Sequence, residues 1–503
     1  MNDAVLEKVT LKWGASEDHQ ETQGLLSPVD FAEIQGMVVR GYGNLPAACF
    51  TLLKITDARQ ARQALRSLQS DLTFAEERPV ERALNLAWTH HGLQQIGLDE
   101  DVRNQFSNEF LAGMTTEHKR RILGDVGSNA PEYWDWGGPK NPDIDLLLMC
   151  YAQDQASLDS FYHPLMSRLN SAGIDTLLRL DTTSLPDTKE HFGFKDGIAQ
   201  PFVKEFDRKG RQVSQPVPLG EILLGYPNGY ERYTQRPLVS ASEDPQNLLP
   251  PDTEGTPARD LGKNGTYLVF RQLAQNVPAF WQFMQAQTDD ADAAIRLASK
   301  MVGRWPSGAP LVLAAETDDP NMADKDAFAY HDADALGHKC PLGAHIRRTH
   351  PRDSLQPQPG SEKSVAFSNR HRLLRRGRAF GAPFLPSLNP RDFLQQLAQG
   401  DADGTSESRG LHFICINANI GRQFEFVQHT WANNPTFNGL YHDPDPIIGS
   451  RSAYGLPQDQ FTRQAEPVRC QFKGMPEFVS VRGGGYFFVP SRSAHKYILT
   501  AGE

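Results

Sequence analysis

Ala48-Cys49-Phe50-Thr51-Leu52-Leu53-Lys54-Ile55 is an apolar run of strand length, and Ala58 to Leu68 just after it suits a helix. The same pairing recurs in Asp145-Leu146-Leu147-Leu148-Met149-Cys150-Tyr151, followed by a helical stretch from about Gln155 to Leu169. Further on, Thr266-Tyr267-Leu268-Val269-Phe270 reads as a strand, and Val277, Phe280, Trp281 and Met284 after it fall at i, i+3, i+4 and i+7, one face of a helix. Ala294, Leu297, Ala298 and Met301 repeat that spacing one helix later. Leu411-His412-Phe413-Ile414-Cys415-Ile416 is another strand, with Phe424, Val427, Gln428 and Trp431 on the helix behind it. Strand and helix alternating in two copies predict an α+β fold of two ferredoxin-like domains, each an antiparallel sheet with helices packed on one face. A cleft between the sheets is the expected site. Residues 202–262, rich in Pro, Gly and acids and poor in periodic apolar positions, read as a long connection. The expected division is an N-terminal extension over 1–30, a first domain over 31–201, the connection, and a second domain over 263–503.

With 503 residues, 39% hydrophobic and 22% charged, the chain has the composition of a folded protein of two or more units. Its formal charge of −10 disfavours broad attraction to nucleic acid or anionic membrane, so neither is expected as a partner, whereas a homo-oligomer is compatible with the sequence. Met1-Asn2-Asp3-Ala4-Val5-Leu6-Glu7 has neither the basic start and apolar stretch of a secretory signal nor a twin-arginine pair. No segment approaches the roughly 20 consecutive apolar residues of a spanning helix, so a cytoplasmic protein is expected. Cys49, Cys150, Cys340, Cys415 and Cys470 are widely separated and include no C-x-x-C pair, which argues against a disulfide framework.

Three segments could carry chemistry. His191-Phe192-Gly193-Phe194-Lys195-Asp196-Gly197 places an acid on a turn among aromatic residues; on its own this is an ordinary Asp-Gly turn, but desolvation there would favour a carboxyl that accepts and returns a proton. Cys340-Pro341-Leu342-Gly343-Ala344-His345-Ile346-Arg347-Arg348-Thr349-His350-Pro351-Arg352 sets a histidine between small and apolar residues, ahead of three arginines. Imidazole is a common haem ligand, and haem propionates need cationic partners. Arg370-His371-Arg372-Leu373-Leu374-Arg375-Arg376-Gly377-Arg378 puts five arginines into nine residues of an acidic protein, interleaved with leucines that argue for partial burial. An arginine can hold negative charge at any working pH.

Together, and in this order, the three segments resemble the dye-decolourising peroxidase family, in its longer bacterial type. Gly193-Phe194-Lys195-Asp196-Gly197 matches the family's G-x-x-D-G loop. Ile34-Gln35-Gly36-Met37-Val38-Val39-Arg40-Gly41-Tyr42, Gly303-Arg304-Trp305-Pro306-Ser307-Gly308 and Gly410 to Gln428 look like further family segments, so the resemblance runs from about residue 31 to the C-terminus. It implies haem b (iron protoporphyrin IX) in the cleft of the second half, with His345 as proximal iron ligand, Arg352 as propionate partner, Asp196 as distal acid and Arg375 as distal arginine. It further implies hydrogen peroxide as oxidant, a ferryl intermediate, and bulky dyes, phenols or other one-electron donors as substrates. The proximal imidazole should donate its second N–H to an acid; Asp443, Asp445 and Glu425 are the candidates, and the sequence does not choose among them. Two other classes compete: a haem storage or transfer protein using the same His345, and a metallohydrolase with His331, His338, Cys340 and His345 as zinc ligands.

Overall fold

The opening apolar run forms β1 (Ala47–Ile55) in the computed structural model, which describes residues 29–207, 215–400, 408–453, 455 and 458–500. All but the last 2 positions of the expected 1–30 extension lie outside the described residues. Helix α1 (Ala58–Leu68) starts where the Asp57 carboxylate accepts the Gln60 N–H at 3.0 Å, and its buried stripe is Ala61, Ala64, Leu65 and Leu68, one 3.6-residue face. Next come β2 (Arg82–Trp88), the fully buried β3 (Leu146–Ala152), α2 (Gln155–Asn170) and β4 (Ile174–Asp181). These strands pair antiparallel in the order β4-β1-β3-β2.

The second half contains β5 (Thr266–Gln275), α3 (Val277–Ala286), α4 (Ala291–Val302), the five-residue α5 (His345–Thr349), the short β6 (Leu374–Arg375) and β7 (Arg378–Phe380), β8 (Gly410–Asn417) and β9 (Val479–Val489). Its order is β9-β5-β8, with β6 and β7 both on the far edge of β8. If β6 and β7 count as one interrupted strand, both halves have the order fourth-first-third-second, the sheet of a ferredoxin-like unit. The helical stretch behind β8 is wound more loosely than expected, as π-helical segments Gly421–Glu425 and Val427–Ala432.

One expectation is corrected: the site does not lie between two separate sheets. β2 and β9 pair at Trp88–Phe488, so the described strands of the halves run as one nine-stranded sheet, and residues 31–503 form a single compact unit. Without this pairing each half would end in an open edge of unpaired N–H and C=O groups. The 202–262 connection is itself folded where described. Leu238–Val239 pairs with Arg259–Asp260, Leu223, Leu224, Leu249 and Leu261 are buried, and the Arg236 guanidinium binds Asp252 and Asp260 at 2.5 and 2.7 Å. Among the described residues no helix is long and apolar enough to cross a membrane.

Candidate active site

The sequence between β4 and the connection bends into a loop because glycine permits it. Gly193 has φ +94°, and a Cβ there would stand 2.8 Å from the Leu388 carbonyl oxygen. On either side of Gly193, Phe192 stacks on Phe280 with ring centres 4.4 Å apart, and Phe194 lies parallel to Trp281 of α3, whose indole N–H donates to the Phe192 carbonyl at 3.1 Å. The aromatics seen in the sequence thus anchor the loop to the second half.

Asp196 follows this anchor. Its backbone N–H donates to Thr188, and its Oδ1 accepts from Gly197 N at 2.6 Å and from Arg375 Nη1 at 2.7 Å. Arg375 ends the short strand β6 opposite Cys415, and its backbone is held by the Gln200 side chain at 3.1 and 3.3 Å. Burial pushes the Asp196 carboxyl upward, but the Arg375 charge, with the Gly197 N–H, outweighs it and holds the group below the ordinary carboxylate range. The pair borders a cavity, which leaves 44% of the Asp196 side chain accessible. Arg376 points elsewhere: it donates to the Met37 and Val38 carbonyls at 2.6 and 2.9 Å.

His345 begins α5. Gly303, which ends α4 at φ +98°, lets this segment approach, since a Cβ there would meet Ile346 Cγ1 at 2.4 Å. Of the three candidate acids, Asp445 reaches the histidine, with Oδ2 2.9 Å from Nδ1. Asp445 is fully buried, and its other oxygen accepts from the Ile447 and Ile448 N–H groups. Burial works against a charged imidazole, yet the Asp445 carboxylate and its hydrogen bond raise His345 above its ordinary value. Glu425 is instead bound to Lys119 at 2.6 Å and to the Tyr486 hydroxyl at 2.8 Å. Asp443 uses its carbonyl to hold Arg348, and burial pushes its carboxyl up to about 6.

The three arginines after His345 separate. Arg347 pairs with Asp334 at 3.2 Å and Arg348 donates to the carbonyls of Gly343, Trp431 and Asn434, so both brace the segment from inside the protein. Arg352 alone borders the cavity, together with Arg304, Arg372 and His350. Asp326 binds both Arg304, at 2.8 Å, and Arg352, at 2.5 Å. Burial and the Arg352 charge bring Arg372 down to about 9, and burial and the same arginines push His350 well below its ordinary value. Two guanidinium groups thus meet one carboxylate, and a third, Arg372, borders the same cavity, where an anionic ligand carrying carboxylates would find partners. Arg304 was visible in the sequence only as part of a motif, Arg372 only as one of a run, and Asp326 gave no signal.

One cavity of about 280 Å³ is bordered by Asp196, Arg375, His345 and Arg352 together. Its apolar wall includes Phe194, Leu373, Leu411, Phe413 and Phe424, so it offers an aromatic macrocycle apolar surface, a nitrogen ligand and cations within one space. With Asp445 on Nδ1, Nε2 is the nitrogen of His345 available to iron. Sequence reasoning missed Glu190, which also borders the cavity; its carboxylate accepts from the Phe192 and Phe194 N–H groups, while burial pushes it up to about 7. The zinc reading is not supported, because among the described residues no three metal-ligating side chains converge.

No family model matches the chain. It is 31% identical over 470 residues to a dye-decolorizing peroxidase of Mycena epipterygia, covering 86% of this chain and 78% of that protein. It is 30% identical over 480 residues to a multifunctional dye peroxidase of an Amycolatopsis species, covering 86% and 89%. The solved complex of a dye-decolorizing peroxidase with 2,6-dimethoxyphenol superimposes with TM-score 0.73 at 25% identity, over 94% of this chain and 100% of that one. Because a fungal sequence matches as well as an Amycolatopsis one, the expected restriction to a longer bacterial type is unsupported. With that degree of identity across most of both sequences, and the α+β fold shared with the solved relative, the chain belongs to the dye-decolorizing peroxidase family.

Proposed function

We propose that this chain holds haem b in the cavity on the sheet of its second half, with His345 as iron ligand and Arg352 as a propionate partner. On that reading it uses hydrogen peroxide to oxidise bulky dyes and phenols, as the names of the Amycolatopsis relative and of the dimethoxyphenol complex suggest. One observation carries the reading: His345, held from behind by Asp445, and the Asp196–Arg375 pair border the same cavity. Haem supplies the iron site for peroxide and the electrons that cleave the oxygen–oxygen bond. Asp196, kept ionised by Arg375, takes the proton from one peroxide oxygen and gives it to the other, which leaves as water. Arg375 stabilises the negative charge on the departing oxygen without needing to be protonated. Asp445 keeps His345 oriented and electron-rich. The division into halves over 31–201 and 263–503, joined through 202–262, belongs to this reading and is supported by the repeated strand order. Reconstitution tests it: a Soret band saturating at one haem per chain is expected, and bound zinc without such a band would contradict it.

Two variants bear on individual roles. Arg375→Leu removes one charge-assisted donor and should slow the reaction with peroxide about 10²–10³-fold. Asp196 is competent when ionised, that is, above its pKa, so loss of the cation that depresses this pKa should move the acid limb of the rate profile to higher pH. Arg376→Leu, which loses contacts to Met37 and Val38, should leave that limb in place. A larger kinetic defect in the Arg376 variant would show the wrong arginine had been chosen. Asp445→Asn should weaken haem binding about 10–100-fold, measured by haem titration, and unchanged affinity would remove Asp445 from the support of His345.

A further inference from the structure

Besides Asp196, Glu190 is an acid on the same loop bordering the cavity, and the peroxide chemistry above gives it no part. Its environment is complete in an unusual way. Oε1 accepts from the Phe194 N–H at 2.9 Å, while Oε2 accepts from the Phe192 N–H at 2.9 Å and from Gln275 Nε2 at 2.6 Å. Its own backbone closes the same ring, since Glu190 N donates to the Phe194 carbonyl and Gly193 N to the Glu190 carbonyl, both at 2.9 Å. The loop just ahead of Asp196 is therefore wound around one carboxylate, and Gln275 ties that carboxylate to the end of β5, whose backbone N–H in turn donates to Arg409 at 2.8 Å.

From this arrangement we propose that Glu190 is the positioning residue for Asp196: it fixes two peptide planes of the loop to the central sheet, so that the Asp196 carboxylate meets Arg375 at the cavity. The proposal rests on the reading of Asp196 as the distal acid. The aromatic anchors also hold the loop against α3, but packing on ring faces restrains translation along the face weakly, whereas three directed hydrogen bonds fix orientation. Buried N–H groups that lose an acceptor seek another one, so removing the carboxylate should let the loop shift.

The test uses the haem-loaded protein. Glu190→Ala should bind haem normally yet react with peroxide about 10²-fold more slowly, the scale of loss for a catalytic group displaced by an ångström. Hydrogen exchange should speed up in the peptide spanning residues 191–197 and stay unchanged in the strands. Glu190→Gln keeps the length and one acceptor oxygen, which in the Oε2 place retains the Phe192 and Gln275 hydrogen bonds and forfeits that from Phe194, and should stay within about tenfold of wild type. If Glu190 acts only through Asp196, adding Glu190→Ala to Asp196→Asn should cost nothing further. Losses that multiply in the double variant, or an equal loss in the Gln and Ala variants with exchange unchanged, would make Glu190 an independent proton carrier and overturn the proposal. A wild-type rate in Glu190→Ala would overturn it as well. A wild-type rate in Asp196→Asn alone would instead bring down the Asp196 assignment, and the proposal with it, and so separates the two failures.

Discussion

His345→Ala protein should fail to bind haem stably, with the Soret band lost or shifted and no saturation at one haem per chain. The substitution removes the imidazole that Asp445 orients, and among the described residues His350, five residues on, is the one other histidine that borders the cavity. Its Nε2 and Nδ1, however, lie 2.5 and 3.1 Å from Arg372 Nη1. Ligating iron through His350 would mean breaking that contact in a setting already crowded with guanidinium groups. Asp445, fully buried, would lose one partner and keep the Ile447 and Ile448 N–H groups, so the variant should remain folded with reduced stability. Circular dichroism checks the fold, and added imidazole, which can occupy the space left by the ring, should restore part of the binding. Haem retained at full stoichiometry with an unchanged spectrum would show that the ligand is another residue.

Asp196→Asn should leave haem in place and slow the reaction with peroxide by about 10²–10⁴-fold, the usual contribution of a positioned acid–base group. Asparagine keeps an oxygen able to accept from Arg375 and Gly197, so the loop should stay where it is. What disappears is the group that can accept a proton and return it. The wild-type carboxyl is held below its ordinary value, so its competent form prevails throughout the range above that lowered pKa and is lost only as pH falls through it. The asparagine variant should have no such acid limb. Stopped-flow mixing with peroxide measures both effects, and a wild-type rate constant would remove Asp196 from the mechanism.

Much of this was written locally in the chain. The runs at 48–55 and 145–151 declared strands because they are apolar with few interruptions, and Ala61, Ala64, Leu65 and Leu68 declared a helix by their spacing. The strands that escaped notice have mixed sequences. β2 carries Asn85, a buried amide whose partners, Gln35 and Tyr42, are far away in sequence. β4, with Asp175-Thr176 followed by Leu177-Leu178, mixes polar and apolar residues without a regular period, and β9 passes through Gly483-Gly484-Gly485. That last strand joins the halves, which is why a cleft between two sheets was expected where one continuous sheet exists.

The site was legible to the extent that its residues announce themselves by type within short segments. His345, Asp196 and Arg375 stand in such segments, and the fold brings all three to one cavity. The supports depend on long-range closure. Asp445 lies 100 positions from His345, and Glu425 and Asp443 were equally plausible until their other partners were visible. Asp326 gathers Arg304 and Arg352 from 22 and 26 positions away. Glu190 shares its loop with Asp196, yet a glutamate before His191 carries no mark of its role until the carboxylate is seen to accept from the backbone ahead of it.

Steady-state oxidation of a dye by the haem-loaded protein tests the central claim most directly, because it separates an enzyme from a protein that stores or carries haem on the same histidine. Bleaching that requires both bound haem and hydrogen peroxide, and that falls by about 10²-fold or more in Asp196→Asn at equal haem content, is the predicted result. Stoichiometric haem binding through His345 with no peroxide-dependent turnover of any dye or phenol would contradict it.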